Sequence, residues 1–328
     1  MMPYLKNSFT CLVIIVLSLL LSHCGENSPR KEKFDGKNAK NLTSIDEQNT
    51  TSVTFSKEDA KSDESSSPIN SSTSEYESSV SVERVQTILS RANPDYRGQG
   101  KFQEQNGVII AAELPNCGLR DLSPLRGLPL QAIDLSGNPV LELRHLKGMP
   151  LRTLFLENTR VVSLKDLRGA KLKELRINNS PVQSLKGVEG QPLENLYAVG
   201  TQITEVSPIR SSNLKQLWLS ESPVSDVSGL AGLPLVSLTL HRTLVEDLTF
   251  VRQLPVLQRL HIGETLIEDL SPLAGVSLTR LVFTPSRIKH GMNVVRSLYG
   301  LREMGTVFDD SGRDLTSPEV FWAKYGKK

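Results

Sequence analysis

LKQLWLSESPVSDVSGLAGLP, residues 214–234, decides the fold. Leu214, Leu217 and Leu219 make an L-x-x-L-x-L pattern, whose last three residues alternate as a short strand does. Leu217 and Leu219 then face inward and Trp218 faces the other way. Five residues after the last leucine, Val224 returns to the apolar side, and Gly and Pro in the remainder turn the chain back before a long helix can form. The unit repeats. Leu130, Leu151, Leu172, Leu193, Leu214 and Leu235 are each 21 residues apart, and Leu257 and Leu278 continue the series after one inserted residue. Ile109-x-x-Ala112-x-Leu114 opens the run and Leu278-x-x-Leu281-x-Phe283 closes it, giving nine units.

A single unit cannot cover its own leucines. Stacked units share one continuous core and align their strands in parallel along one face. The expected fold class is therefore an α/β repeat: a solenoid over residues 109–290 with a concave parallel β-sheet. Its convex side is built from turns or 3-10 segments such as Asp121-Leu122-Ser123-Pro124-Leu125 and Asp269-Leu270-Ser271-Pro272-Leu273. Helical caps are expected at both ends. Over 81–108, Val82, Val85, Ile88 and Leu89 share a helical face that Pro94 terminates. Over 291–328, Met292, Val295, Leu298 and Tyr299 suggest a helix ending at Gly300. Ser317-Pro318-Glu319 starts another, whose Phe321, Trp322 and Tyr325 would seal the last unit.

This register resembles the leucine-rich-repeat family, and most of all the internalin-like bacterial class with its DLSPL convex segment. The resemblance covers residues 109–290 and implies binding of a partner through the concave sheet. One departure is consistent. Where the family usually carries Asn at the tight turn, this chain has Cys117, Asn138, Thr159, Ser180, Thr201, Ser222, Thr243, Thr265 and Ser286. All but Cys117 bring a side-chain oxygen that can bond a backbone group there, and Cys117 is read as structural.

The concave face can be read from the residues alone. Between the two close leucines, successive units present Glu113, Asp134, Phe155, Arg176, Tyr197, Trp218, Thr239, His261 and Val282. With strands about 4.8 Å apart, Phe155, Arg176, Tyr197 and Trp218 form a row about 15 Å long. Aromatics and Arg dominate binding hot spots, and only 5% of the chain is aromatic, so three rings on four successive strands mark a candidate partner-binding site. Glu157, Asn178 and His241, two positions further along their strands, flank it, and His261 completes the set. His241 and His261 are expected as two solvated rings, held by a diagonal offset too far apart to share a ligand easily. No metal and no other cofactor is expected.

The N-terminus has the form of an export signal over residues 1–23: Lys6, then eleven apolar or small residues from Cys11 to Leu21. That run is too short for the roughly 18 to 20 residues a membrane span needs. Leu21-Ser22-His23-Cys24 is similar to a bacterial lipobox, which implies lipidation of Cys24 and anchoring to a membrane; His23 stands where Gly or Ala is usual. A plain cleaved signal and an uncleaved short anchor stay open. Residues 24–80, rich in Ser, Thr, Asn, Glu and Lys, cannot bury enough apolar surface to order and are expected as a flexible tether.

Thirty-eight basic against 36 acidic side chains give no field for nucleic acid. Catalysis would need a nucleophile, base and orienter converging in a pocket. The five histidines are scattered, and no GxSxG, HExxH or glycine-rich phosphate loop occurs. The expected function is a non-catalytic, surface-tethered module that binds a protein or peptide on its concave face. The alternative is a structural or glycan-binding component of the cell envelope. Under either, the repeats are exported, as a membrane-anchored lipoprotein or a secreted protein.

Overall fold

A computed structural model describes residues 80–309 and 312–326. The expected signal over 1–23, the expected lipidation of Cys24 and all of the expected tether but Val80 lie outside the described residues. The chain enters through a helix, α1 (Val82–Ala92), and an antiparallel pair, β1 (Lys101–Gln105) and β2 (Val108–Glu113). Short parallel strands follow in chain order: β3 (Ala132–Asp134), β4 (Thr153–Phe155), β5 (Glu174–Arg176), β6 (Asn195–Tyr197), β7 (Gln216–Trp218), β8 (Ser237–Thr239), β9 (Arg259–His261) and β10 (Arg280–Val282). Each strand pairs with the next, so β1 to β11 (Glu303–Gly305) make one 11-stranded sheet in sequential order. Most units return through a 3-10 turn of three residues, such as Ser123–Leu125 and Ser271–Leu273. The fold is an α/β repeat, a leucine-rich-repeat solenoid.

Register does the packing. Leu154, Leu175, Leu196, Leu217, Leu238 and Leu260 are direct partners across six strands, and all are buried. Val161, Val182, Ile203, Val224, Val245 and Ile267 are buried behind them. Burying one such side chain stabilises the chain by roughly 1.5–3 kcal/mol, and here each burial depends on the neighbouring unit.

The turn after each strand from β2 to β9 demands a left-handed residue. Asn116, Asn158, Asn179 and the glycines Gly137 and Gly200 meet the demand with little strain. Glu221, Arg242 and Glu264 adopt the same conformation, and they are tied together: Arg242 meets Glu221 and Glu264 at 3.0 Å each. One residue on, the polar ladder forms. Thr159, Thr201, Thr243 and Thr265 donate to the carbonyls of Leu156, Ala198, Leu240 and Ile262 at 2.7–3.0 Å, and Ser222 donates to Leu219. Asn138 does more: its amide oxygen accepts from the N–H groups of Cys117 and Leu119, and its Nδ2 donates to Leu114 and Leu135. The hydroxyls of Thr201, Thr243 and Thr265 satisfy a carbonyl within their own unit, where Asn138 staples two units together. Ser180 also reaches back one unit, to Leu156 at 2.6 Å, whereas Ser286 lies exposed in the turn Pro285–Arg287. Cys117 is buried, and that burial pushes its thiol up to about 11; such a group is a poor nucleophile.

Both ends are capped. Ser81 caps α1, whose Val85 and Leu89 are buried while Ile88 is exposed. Asn93, just past the helix, accepts from the N–H groups of Arg120 and Asp121 and so locks α1 onto the first convex turn. At the other end the expected helix from Met292 to Gly300 is shorter: α2 covers Met292–Arg296. The chain then adds a tenth parallel strand, β11, in which Met304 partners Leu281. Leu301-x-x-Met304 keeps the repeat spacing with Met in the inward position. The last helix, α3 (Pro318–Tyr325), packs Phe321 on Phe283 with ring centroids 5.5 Å apart.

Because Leu217 is buried in the middle of the ladder, Leu217→Ala should cost about 2 to 5 kcal/mol of stability. Urea unfolding measures it; an unchanged midpoint would mean that this side chain does not face the core.

Candidate functional site

The concave face is set by the residues between the leucines. Register places Phe155 beside Arg176, Arg176 beside Tyr197, and Tyr197 beside Trp218. These four interlock. The Arg176 guanidinium lies over the Phe155 ring at 4.3 Å and over the Tyr197 ring at 5.1 Å. Tyr197 and Trp218 meet edge to face, centroids 5.5 Å apart at 67°. Such geometry is favoured by the ring quadrupoles. Arg176 is also anchored from its own strand by Glu174 at 2.7 Å, and the Tyr197 hydroxyl donates to Gln216 at 3.3 Å.

Full exposure was expected of this row, and there the structure differs. Phe155 is 3% exposed, while Arg176, Tyr197 and Trp218 are half-buried. Strands 4.8 Å apart bring long side chains into mutual contact, so the row covers itself and Arg176 roofs Phe155. The flank is ordered too. Glu157 accepts from Asn178 Nδ2 at 2.6 Å, and Asn178 in turn accepts from the Val199 N–H at 2.9 Å.

The histidine expectation is corrected. His241 and His261 are buried, not solvated, and their rings stack 4.8 Å apart at 14°. Diagonal neighbours in a sheet are within reach of aromatic side chains, and Gly263 leaves the room: a Cβ there would lie 3.0 Å from His261 Nε2 and 3.4 Å from His241 Cδ2. Glu264 lies 3.4 Å from His241 Nε2. Among the described residues, no group of three His, Cys, Asp or Glu is placed to hold a metal ion.

Charge divides the face along its length. Toward the N-terminal end, burial pushes the carboxyls of Glu113, Asp134 and Glu157 above the ordinary carboxylate range. Hydrogen bonds from Ser136 to Asp134, and Arg176 beside both Asp134 and Glu157, offset only part of that effect. Burial opposes the charge on Arg176 as well, but Glu174 more than restores it through charge and hydrogen bond. Toward the C-terminal end lies a feature sequence reasoning missed: a cavity of about 150 Å³ walled by Trp218, Arg259, His261, Arg280 and Phe308. Phe308 belongs to a hairpin, β12 (Phe308–Asp309) and β13 (Gly312–Arg313), that follows the repeats. Only the series Gln216, Ser237, Arg259, Arg280, two positions before the outward row, hinted at the wall.

The sequence matches no protein-family model and no curated protein. Among solved structures it is similar to internalin C2 of Listeria monocytogenes, with 24% identity and a TM-score of 0.54 over 61% of this chain and 92% of that one. It is similar also to a second internalin of that organism, with 21% identity and a TM-score of 0.51 over 70% of this chain and 76% of that one. These likenesses establish the fold as an internalin-type solenoid. Among the described residues, no helix is long and apolar enough to cross a membrane.

The raised Asp134 carboxyl has a thermodynamic consequence. The native state holds this proton to higher pH than the unfolded chain does, so stability falls as pH rises from the ordinary aspartate range through the raised value. Asp134→Asn keeps an acceptor for the Ser136 N–H and should raise the melting temperature at neutral pH, with the gain gone below about pH 4. A lower melting temperature at neutral pH would contradict the burial account.

Proposed function

We propose that this chain is a non-catalytic recognition module that takes a protein or peptide partner on its concave face. The observation that carries the reading is the interlocked row of Phe155, Arg176, Tyr197 and Trp218. It is assembled before any partner arrives, so a partner meets rings whose ordering entropy is already spent. Central aromatics and Arg with a polar surround are the usual anatomy of a protein-binding hot spot. Glu157, Glu174 and Asn178 supply that surround. The face is also long: ten parallel strands span about 43 Å at 4.8 Å each, a length suited to an extended segment or a domain edge. Catalysis finds little here, because an open sheet excludes no water and the buried thiol of Cys117 is held protonated.

The second part of the proposal is export and tethering. Leu21-Ser22-His23-Cys24 supports a lipid on Cys24, with residues 25–80 as the spacer between membrane and solenoid.

Two experiments test these parts. Tyr197→Ala with Trp218→Ala should abolish capture of the partner from the native cell surface while the chain keeps one cooperative melting transition. Capture by the parent chain should weaken as salt rises, because charged flanks contribute; a soluble glycan held by the rings alone would ignore both salt and Arg176→Gln. Retention of every captured partner by the double variant would reject the site. For the tether, Cys24→Ser should move the protein from the membrane to the soluble fraction and remove incorporation of a labelled fatty acid. Equal labelling of parent and variant would reject it.

A further inference from the structure

The cavity at the C-terminal end of the concave face is lined by side chains from β7 to β10 and by Phe308. Two of these are guanidinium groups on adjacent strands, since Arg259 and Arg280 are direct partners. Arg280 is engaged: its Nε and Nη2 bind Glu303 Oε2 at 2.7 and 2.5 Å, and it lies over the Phe308 ring at 4.7 Å. Arg259 is not. Its partner on the other side is Ser237, and among the described residues its side chain makes no ion pair or hydrogen bond. Among the described residues, no Asp or Glu lines the cavity. The charge of Arg280 is matched by Glu303, whereas Arg259 is a half-buried guanidinium with no ion-pair or hydrogen-bond partner among the described residues, so part of its hydration is lost and not replaced. An arriving anion replaces it. The indole N–H of Trp218, on the facing wall, is likewise buried without an acceptor among the described residues.

We propose that this cavity takes a carboxylate group of the partner segment on Arg259. A guanidinium and a carboxylate match as a planar, two-bond fork, and the Arg280–Glu303 pair holds the adjacent wall in place. The site extends the reading of the concave face as a recognition surface and rests on it. Trp218 belongs to both features, and Arg259 stands two strands beyond it, about 10 Å away. The partner therefore carries an apolar group for Tyr197 and Trp218 and a carboxylate roughly three extended residues further on.

The carboxylate can come from an acidic side chain or from a chain terminus, and three probes separate these. They are acetyl-Gly-Glu-Gly-Glu-Gly amide, acetyl-pentaglycine with a free C-terminal carboxylate, and acetyl-pentaglycine amide. The chain has two tryptophans, so in a Trp322→Phe background the emission reports Trp218 alone. At least one carboxylate peptide should shift that emission to saturation while the neutral amide does not, and the one that responds identifies the source. Arg259→Gln should weaken the response at least tenfold with its melting transition intact. Silence from both carboxylate peptides, or equal binding to Arg259→Gln, overturns the proposal. The two readings fail separately. Peptide binding without any effect of the Tyr197/Trp218 double variant on capture would sink the recognition row and leave the pocket. Normal capture without peptide binding would sink the pocket alone.

Discussion

No unit of this chain can bury its own leucines, and everything else in the structure depends on that. A strand of three residues has one inward side chain, Leu217 for example, and that side chain is covered by Leu196 and Leu238 of the adjoining strands. Stability is then a sum of neighbour contacts along a line, and the two ends become the weak points. The chain answers with α1, locked down by Asn93, and with β11 and α3, where Met304 and Phe321 close the last exposed layer.

The same alternation that sends leucines inward leaves one outward residue per strand in line with the next. Nothing in the core constrains that residue, which is why its identity varies from Glu113 to Val282 while the leucines repeat. Close strand spacing makes these variable residues neighbours, so a cation between two rings becomes a rigid element and not three loose side chains. It also separates charge along the sheet, with a buried carboxyl at Asp134, a half-buried one at Glu157 and guanidinium groups at Arg259 and Arg280. Along the face the order is acid, then rings, then base.

The inward set was legible in the sequence because period and spacing are one-dimensional properties. So was the position of the row from Phe155 to Trp218, since alternation fixes which side a residue takes. Its degree of burial was not, because that depends on how far Arg176 reaches over Phe155. The stacked pair of His241 and His261 escaped for a related reason: it needs the missing side chain at Gly263, a position with no apolar signal. The tenth strand was hidden by a longer interval, Leu278 to Leu301, and by Met and Gly where Leu and a larger residue had been regular. The pocket needed Phe308, which no repeat pattern contains. Apart from the tenth strand, the lost information was a contact between units or with a cap.

The most direct test of the register is to remove one unit. Excision of residues 193–213 deletes 21 residues and brings Leu214 behind Pro192 in the place of Leu193. Excision of residues 193–203 removes only half a unit, its strand β6 and Ile203, and leaves the convex remainder with no inward leucine of its own to stack on. Thermal unfolding followed by circular dichroism should show a single cooperative transition for the first chain, with a lowered midpoint, and none for the second. Equal behaviour of the two chains, cooperative or not, would contradict a core built from leucines in one shared register.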